Sequence, residues 1–254
     1  MTGPAANLVE VDGLTKHFAM SRSLADFAAG RRPVVRAVDG VSFDLREGES
    51  VGILGESGCG KTTMGRLLLK LIDPTGGAVR FDGVDITTLK GPDLLAFRMQ
   101  AQLVFQNPFD ALNPRFTIFR ALTEPLVNAK VPQEEHREHA LKAMRRVHMP
   151  DLDQYAEKFP HQLSGGQLQR IVLARALILE PNFVVADEPV SMLDVSVRAG
   201  ILNVMREVRD TLGLTAVYIS HDLALVRYIC ERTITMYLGI VVEDGPTEDV
   251  VRDP

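Results

Sequence analysis

Gly55-Glu56-Ser57-Gly58-Cys59-Gly60-Lys61-Thr62 fits the pattern G-x-x-x-x-G-K-S/T in full. These residue types at this spacing handle phosphate. The glycines let backbone N–H groups wrap an anion, a helix end adds a positive dipole, and Lys61 can reach the β- and γ-phosphates. The Thr62 hydroxyl can ligate Mg²⁺. Cys59 reads first as a small residue that suits the loop, with a redox role as the alternative. A thiol placed there should react with bulky reagents and be shielded by nucleotide.

A second cluster is Phe183-Val184-Val185-Ala186-Asp187-Glu188, an apolar run ending in two acids. Beside a phosphate loop, Asp187 at the end of a buried parallel strand can hold Mg²⁺, directly or through water. Glu188 can then activate or orient the attacking water. Taken alone, the same residues read as a strand end before a turn at Pro189. Gln106 and His221 also follow short apolar runs, at the strand ends where open α/β sheets bind ligands. Gln106 could contact Mg²⁺ and water, and His221 the γ-phosphate; by itself each also fits a structural role.

The third cluster is Leu163-Ser164-Gly165-Gly166-Gln167. Ser164 and Gln167 form a capping box, Ser-x-x-Gln. Two glycines in the first turn cost about 1 kcal/mol each relative to Ala. They also strip side chains from a positively polarised helix end, which suits an anion. The competing reading is an ordinary capped helix whose glycines permit tight packing.

Positioning these groups requires strands and helices in alternation. Leu8–Val11, Val41–Leu45, Ser50–Leu54 and Gln102–Phe105 read as strands. Lys61–Leu71 reads as a helix that stops before Asp73-Pro74, and Gly76–Ile86 as a hairpin turning at Asp82-Gly83. Ser21–Pro33 is polar and reads as an exposed loop. From Pro108 to about Leu179 the chain is mostly helical, with loops near Asn113-Pro114 and Met149–Asp153. Within it Glu134–His148 is a charged amphipathic helix, and Leu168–Leu179 a mostly buried one interrupted by Arg175. Strand Phe183–Ala186, helix Val195–Leu212, strand Thr215–Ile219, helix Leu223–Cys230 and strand Thr233–Tyr237 follow. That alternation predicts a parallel sheet with helices packed on it and a helical insertion at about 108–179.

Composition narrows the class. The 254 residues suffice for a sizeable core. A net charge of -5 argues against a duplex nucleic-acid binder. No apolar stretch reaches the roughly 20 residues that span a bilayer. Residues 1–12 have neither a basic start nor an apolar h-region, so no signal peptide is expected. Cys59 and Cys230 make neither a disulfide framework nor a metal site.

Together the motifs resemble the nucleotide-binding subunit of an ABC transporter. In that likeness Walker A is Gly55–Thr62, the Q-loop centres on Gln106, the signature is Leu163–Gln167, Walker B is Val184–Asp187 with Glu188 beside it, the D-loop is Ser191–Asp194 and the switch histidine is His221. Phe18 stands where the family stacks an aromatic on adenine. Ala37–Phe43, Val104–Pro108 running to Leu112–Arg115, Asp187–Ser196 and Met236–Gly239 resemble the oligopeptide/dipeptide permease branch, which also serves nickel and some oligosaccharides. Met192 departs from the small residue usual in the D-loop, and Leu168 from the polar residue usual after the signature. Relatives commonly continue past the position of Pro254 with a further segment, expected to be absent here.

The resemblance implies a P-loop NTPase (RecA-like) α/β core with an antiparallel β subdomain and a helical insertion, all within one domain spanning 1–254. It implies an ATPase using ATP and Mg²⁺. Each ATP would lie between Lys61, Thr62 and Thr63 of one subunit and the Ser164–Gln167 helix end of a second, identical or paralogous; Asp194 would border the same site. Thr62, Gln106 and Asp187 would serve Mg²⁺, with Glu188 and His221 as the catalytic pair. Two membrane permease subunits and, indirectly, an extracellular solute-binding protein would complete the system, with this chain peripheral at the cytoplasmic face of the membrane. Peptide import is the leading solute class, with nickel or oligosaccharide import as alternatives. A soluble ABC ATPase of DNA repair or translation usually carries a long coiled coil or tandem domains, and neither is seen. Phe109, Leu112 and Phe116 could form a socket for a permease helix.

Overall fold

The computed structural model describes residues 6–20 and 33–252. The loop expected at Ser21–Pro33 lies, as far as residue 32, outside the described residues. The strands among the described residues are β1 Asn7–Ala19, β2 Val34–Arg46, β3 Ser50–Leu54, β4 Gly76–Phe81, β5 Val84–Asp85, β6 Ala101–Val104, β7 Phe183–Asp187, β8 Thr215–Ser220, β9 Arg232–Tyr237 and β10 Ile240–Pro246. The α-helices among the described residues are α1 Lys61–Leu68, α2 Gly91–Gln100, α3 Pro108–Ala111, α4 Ile118–Asn128, α5 His136–Arg146, α6 Leu152–Tyr155, α7 Gly165–Leu177, α8 Val195–Leu212, α9 Leu223–Ile229 and α10 Thr247–Arg252. The chain divides into two compact units, one of Met1–Leu89 with Ile219–Pro254, the other of Lys90–Tyr218.

In the first unit, β2-β1-β4-β5 form an antiparallel sheet. Val9 and Val11 lie opposite Leu45 and Phe43, all buried, so one face of this ribbon is core. The β4–β5 turn falls at Asp82-Gly83, both left-handed, at φ 48° and 74°. That is the two-residue turn whose twist suits a hairpin. β3 pairs in parallel with β9, and β9 antiparallel with β10. β3 is buried from Ser50 to Ile53 and apolar after Ser50, as suits a strand covered on both faces. Helix α1 ends three residues before the sequence expectation. Lys70 turns left-handed, and the N–H groups of Lys70 and Leu71 bond back to Leu67 and Arg66, a Schellman stop. Lys70 also pairs with Asp73 and donates to the Thr87 carbonyl at 2.6 Å, which holds that turn.

In the second unit, β6 and β7 are parallel neighbours. Helix α8 spans the expected Val195–Leu212 and stops at Gly213, left-handed at φ 63°. Helix α7 buries Leu168, Ile171, Val172, Leu173 and Leu177 and packs on α4, α5 and α8. Its Arg175 is no intrusion on the core. Pro125 inside α4 lacks the N–H that would bond the Ala121 carbonyl. Arg175 Nε donates to that carbonyl at 3.1 Å, and its Nη2 meets the Glu124 carboxylate at 2.9 Å. The basic run on α5 is tied down by carboxylates: Arg137 to Asp153 at 2.6 Å, and Lys142 and Arg146 both to Glu180 at 2.5 and 3.1 Å. Those cations hold the Glu180 carboxyl below its ordinary range.

Candidate functional site

The phosphate loop leads from β3 into α1, and its glycines answer to different constraints. Gly60 has φ 110°, and a Cβ there would lie 2.0 Å from the Ala37 carbonyl oxygen. At Gly55 a Cβ would lie 2.3 Å from the Met236 carbonyl oxygen. At Gly58 there is open space but φ is 83°, so conformation alone asks for glycine. Lys61 is buried, and its ammonium donates to the carbonyls of Gly55 and Glu56 at 2.6 and 2.7 Å. A buried cation satisfied by two carbonyls holds the loop in a ring. Glu56, Ser57, Gly58 and Thr62 stand exposed on the rim, with Thr63 half-buried beside them.

Cys59 is 4% exposed, with Sγ 3.8 Å from Lys61 Nζ. Its carbonyl accepts the Gly239 N–H at 3.0 Å, and a Cβ at Gly55 would touch its sulfur. The small-residue reading therefore stands, and ready attack by a bulky thiol reagent does not.

Phe18 lies on β1 opposite Val35, half exposed, with the Lys16 ammonium 5.1 Å from its ring centre. The neighbouring His17 Nε2 is 2.9 Å from Asp39 Oδ1, and Arg36 Nη1 reaches Asp39 Oδ2 at 3.1 Å. The His17 and Arg36 hydrogen bonds hold the Asp39 carboxyl below its ordinary range. His221 is exposed in the bend between β8 and α9. Around it, Ser220 Oγ accepts the Asp222 N–H, and Asp222 caps α9 through Ala224 and Leu225.

In the second unit the ends of β6 and β7 bring two expected residues into direct contact. Gln106 Nε2 donates to Glu188 Oε2 at 2.8 Å, across 82 positions of sequence. Asp187 closes β7, and Glu188 follows at φ 45°. A left-handed non-glycine residue at such a place is strained, typically by about 1–3 kcal/mol.

The signature forms its capping box: Ser164 Oγ accepts the Gln167 N–H at 3.3 Å, and Gln167 Oε1 accepts the Ser164 N–H at 3.0 Å. The two readings of its glycines divide by residue. A Cβ at Gly166 would lie 2.6 Å from Val197 Cγ1 on α8, so Gly166 is a packing glycine. A Cβ at Gly165 would make only ordinary contact, 3.5 Å from Leu193 Cδ2. Gly165 is exposed, as is Asp194 at the start of α8. Met192 and Val195 are exposed on the same connection.

Two expectations need amendment. Leu112 is 4% exposed and belongs to the core, so it cannot line a socket; Phe109 is 56% exposed and can. The Arg120 guanidinium covers the Phe116 ring at 3.7 Å. Sequence reasoning also passed over Arg198, which bonds the carbonyls of Ser191 and Leu193. Its signal was a cation in the first turn of α8, where the helix dipole disfavours one.

Residues 38–191 match the family model described as ABC transporter. The chain is 45% identical to a putative peptide import ATP-binding protein of Brucella ovis, over 97% of this chain and 74% of that one. It is 43% identical to the dipeptide transport ATP-binding protein DppF of Escherichia coli, over 97% and 72%. Among solved structures it resembles the dimeric ATP-binding cassette MJ0796 in a post-hydrolysis state bound to ADP and Pi, at 30% identity and TM-score 0.80, covering 94% and 98%. It also resembles cbiO1 of Clostridium perfringens, part of the transporter complex cbiONQ, at 26% identity and TM-score 0.81, covering 97% and 91%. No helix among the described residues is long and apolar enough to cross a membrane.

Proposed function

This chain belongs to the ABC transporter family, and we propose that it is the ATP-hydrolysing subunit that energises peptide import through a membrane permease. The contact between Gln106 and Glu188 carries the proposal. It sets a carboxylate and an amide side by side at the ends of adjacent parallel strands, where the amide can orient the carboxylate as a base for water.

Lys61, Thr62 and Thr63 would hold the β- and γ-phosphates, with the backbone N–H groups of Gly55 to Gly60 around them. Phe18 would stack on adenine. By the family likeness Mg²⁺ would draw on Asp187 for a carboxylate, Thr62 for a hydroxyl and Gln106 for an amide oxygen, donor types that suit the ion. No cluster of three acidic, His or Cys groups occurs among the described residues, so the ion would rely on phosphate oxygens, as Mg²⁺ does in nucleotide sites. Bound there, Mg²⁺ would neutralise charge on the β- and γ-phosphates. Glu188 would take a proton from the attacking water while Gln106 orients its carboxylate, and His221 would hold the γ-phosphate.

The exposed Ser164–Gln167 helix end and Asp194 would complete the site of a second ATPase subunit, identical or paralogous. Both the dimeric relative and the unencumbered Gly165 support this reading. The chain would act as a single ABC ATPase domain, with the helical insertion at about 108–179. Two permease subunits would hold it at the cytoplasmic face, and a solute-binding protein would act from outside.

The test is Glu188→Gln, assayed in proteoliposomes that carry the cognate permease, binding protein and a peptide mixture. Peptides should stimulate wild-type ATPase. The variant should bind ATP as tightly while losing on the order of 10²-fold or more in turnover, the scale of general-base loss. Wild-type turnover in the variant would remove Glu188 as the base, and stimulation by nickel or oligosaccharide alone would replace the solute.

A further inference from the structure

We infer that Arg198 is a positioning residue for Glu188, acting through Ser191. This rests on the reading above, in which Glu188 is the base. Arg198 stands one turn into α8, and its side chain turns back along the connection that precedes the helix. Nε donates to the Leu193 carbonyl at 2.9 Å, and Nη2 to the Ser191 carbonyl at 3.3 Å. Ser191 in turn donates twice to the Glu188 carbonyl, from its N–H at 3.2 Å and its Oγ at 3.1 Å. One guanidinium thus fixes two carbonyls of a tight connection, and that connection fixes the backbone of the residue whose carboxylate faces Gln106.

Three observations single out this chain of bonds. Glu188 is left-handed, a conformation a non-glycine residue keeps only when its surroundings impose it. Met192, flanked by the two carbonyls that Arg198 binds, is 64% exposed, so packing of that side chain does not hold the connection. Arg198 also sits where the helix dipole repels a cation, so its placement answers to something other than helix stability. The fork is what matters: a planar guanidinium reaches two divergent carbonyls, whereas an ammonium is a point donor.

The experiment compares Arg198→Lys, Arg198→Gln and Ser191→Ala with the wild-type full chain. The readouts are kcat, KM, nucleotide affinity and amide hydrogen exchange. Arg198→Gln should lower kcat at least tenfold and Arg198→Lys by less, with ATP affinity within twofold of wild type. The amides of Ser191 and Leu193 should exchange at least tenfold faster in both, while those of residues 201–208 stay unchanged. Arg198→Gln combined with Ser191→Ala should fall short of the product of the single effects on kcat, because both act on one chain of bonds. Unchanged exchange at Ser191 and Leu193 would overturn the clamp. Faster exchange with unchanged kcat, or kcat and affinity falling together with exchange across all of α8, would leave Arg198 a structural residue and overturn its positioning role. Full turnover in Glu188→Gln, by contrast, would sink the reading of Glu188 as base while the exchange measurement still decided the clamp.

Discussion

The phosphate loop and the signature turn are both glycine-rich entries into a helix, yet their glycines answer to different masters. In the phosphate loop the chain crowds itself. Gly55 and Gly60 have carbonyl oxygens where a Cβ would go, and Lys61 draws the loop closed on its own carbonyls. In the signature turn only Gly166 is crowded, by Val197, while Gly165 has room for a methyl group. A glycine that its own fold demands is explained from within. One that its own fold leaves free points to a surface kept bare for something else, which in the function proposed above is the phosphates of a second subunit's ATP.

Alanine at each position separates these cases, and the largest effect should come from Gly60→Ala. A left-handed alanine alone costs about 1–3 kcal/mol, and overlap with a backbone oxygen adds to it. Thermal unfolding should show a loss on the order of 3 kcal/mol with nucleotide binding abolished. A stable Gly60→Ala chain that binds ATP would dissolve the distinction. Gly166→Ala should come next, at about 1–2 kcal/mol, since overpacking offsets the helix propensity gained. Val197→Ala should recover most of that loss, which a comparison of melting temperatures reads directly. Gly165→Ala should be the mildest in stability, between no change and a gain of up to about 1 kcal/mol from propensity. It should nonetheless weaken the ATP-dependent dimer of the Glu188→Gln chain, measured by sedimentation. If Gly165→Ala melts as early as Gly166→Ala, the contrast fails.

The same distinction between inner and outer demands explains what the sequence disclosed. β3 and α8 were legible to the residue. The first is an apolar run closed by glycines, the second an apolar stripe ended by a left-handed Gly213. The hairpin at Asp82-Gly83 announced itself by turn chemistry. By contrast α2 was not foreseen, because only Phe97 among its ten residues is buried and no stripe forms. β10 was missed for a related reason: it alternates half-buried with exposed positions and presents no apolar face. At the site, the motifs gave the residue types and the strand ends gave their level. What could not be read was contact at long range. Nothing in the spacing brings Gln106 to Glu188 or Arg198 to the carbonyl of Ser191, and nothing told Leu112 from Phe109 until the fold buried one and left the other out.

Pro125 and Arg175 carry a consequence for how this helical region can change over time. A proline in α4 leaves the Ala121 carbonyl without its backbone donor, and a guanidinium from α7 stands in for it. The two positions are therefore bound to an order of events. Replacing Pro125 first restores the donor and sets Arg175 at liberty to vary. Replacing Arg175 first strands a carbonyl in the interior. Two lineages could arrive at the same pair of residues, yet only one of the two routes passes through a sound intermediate.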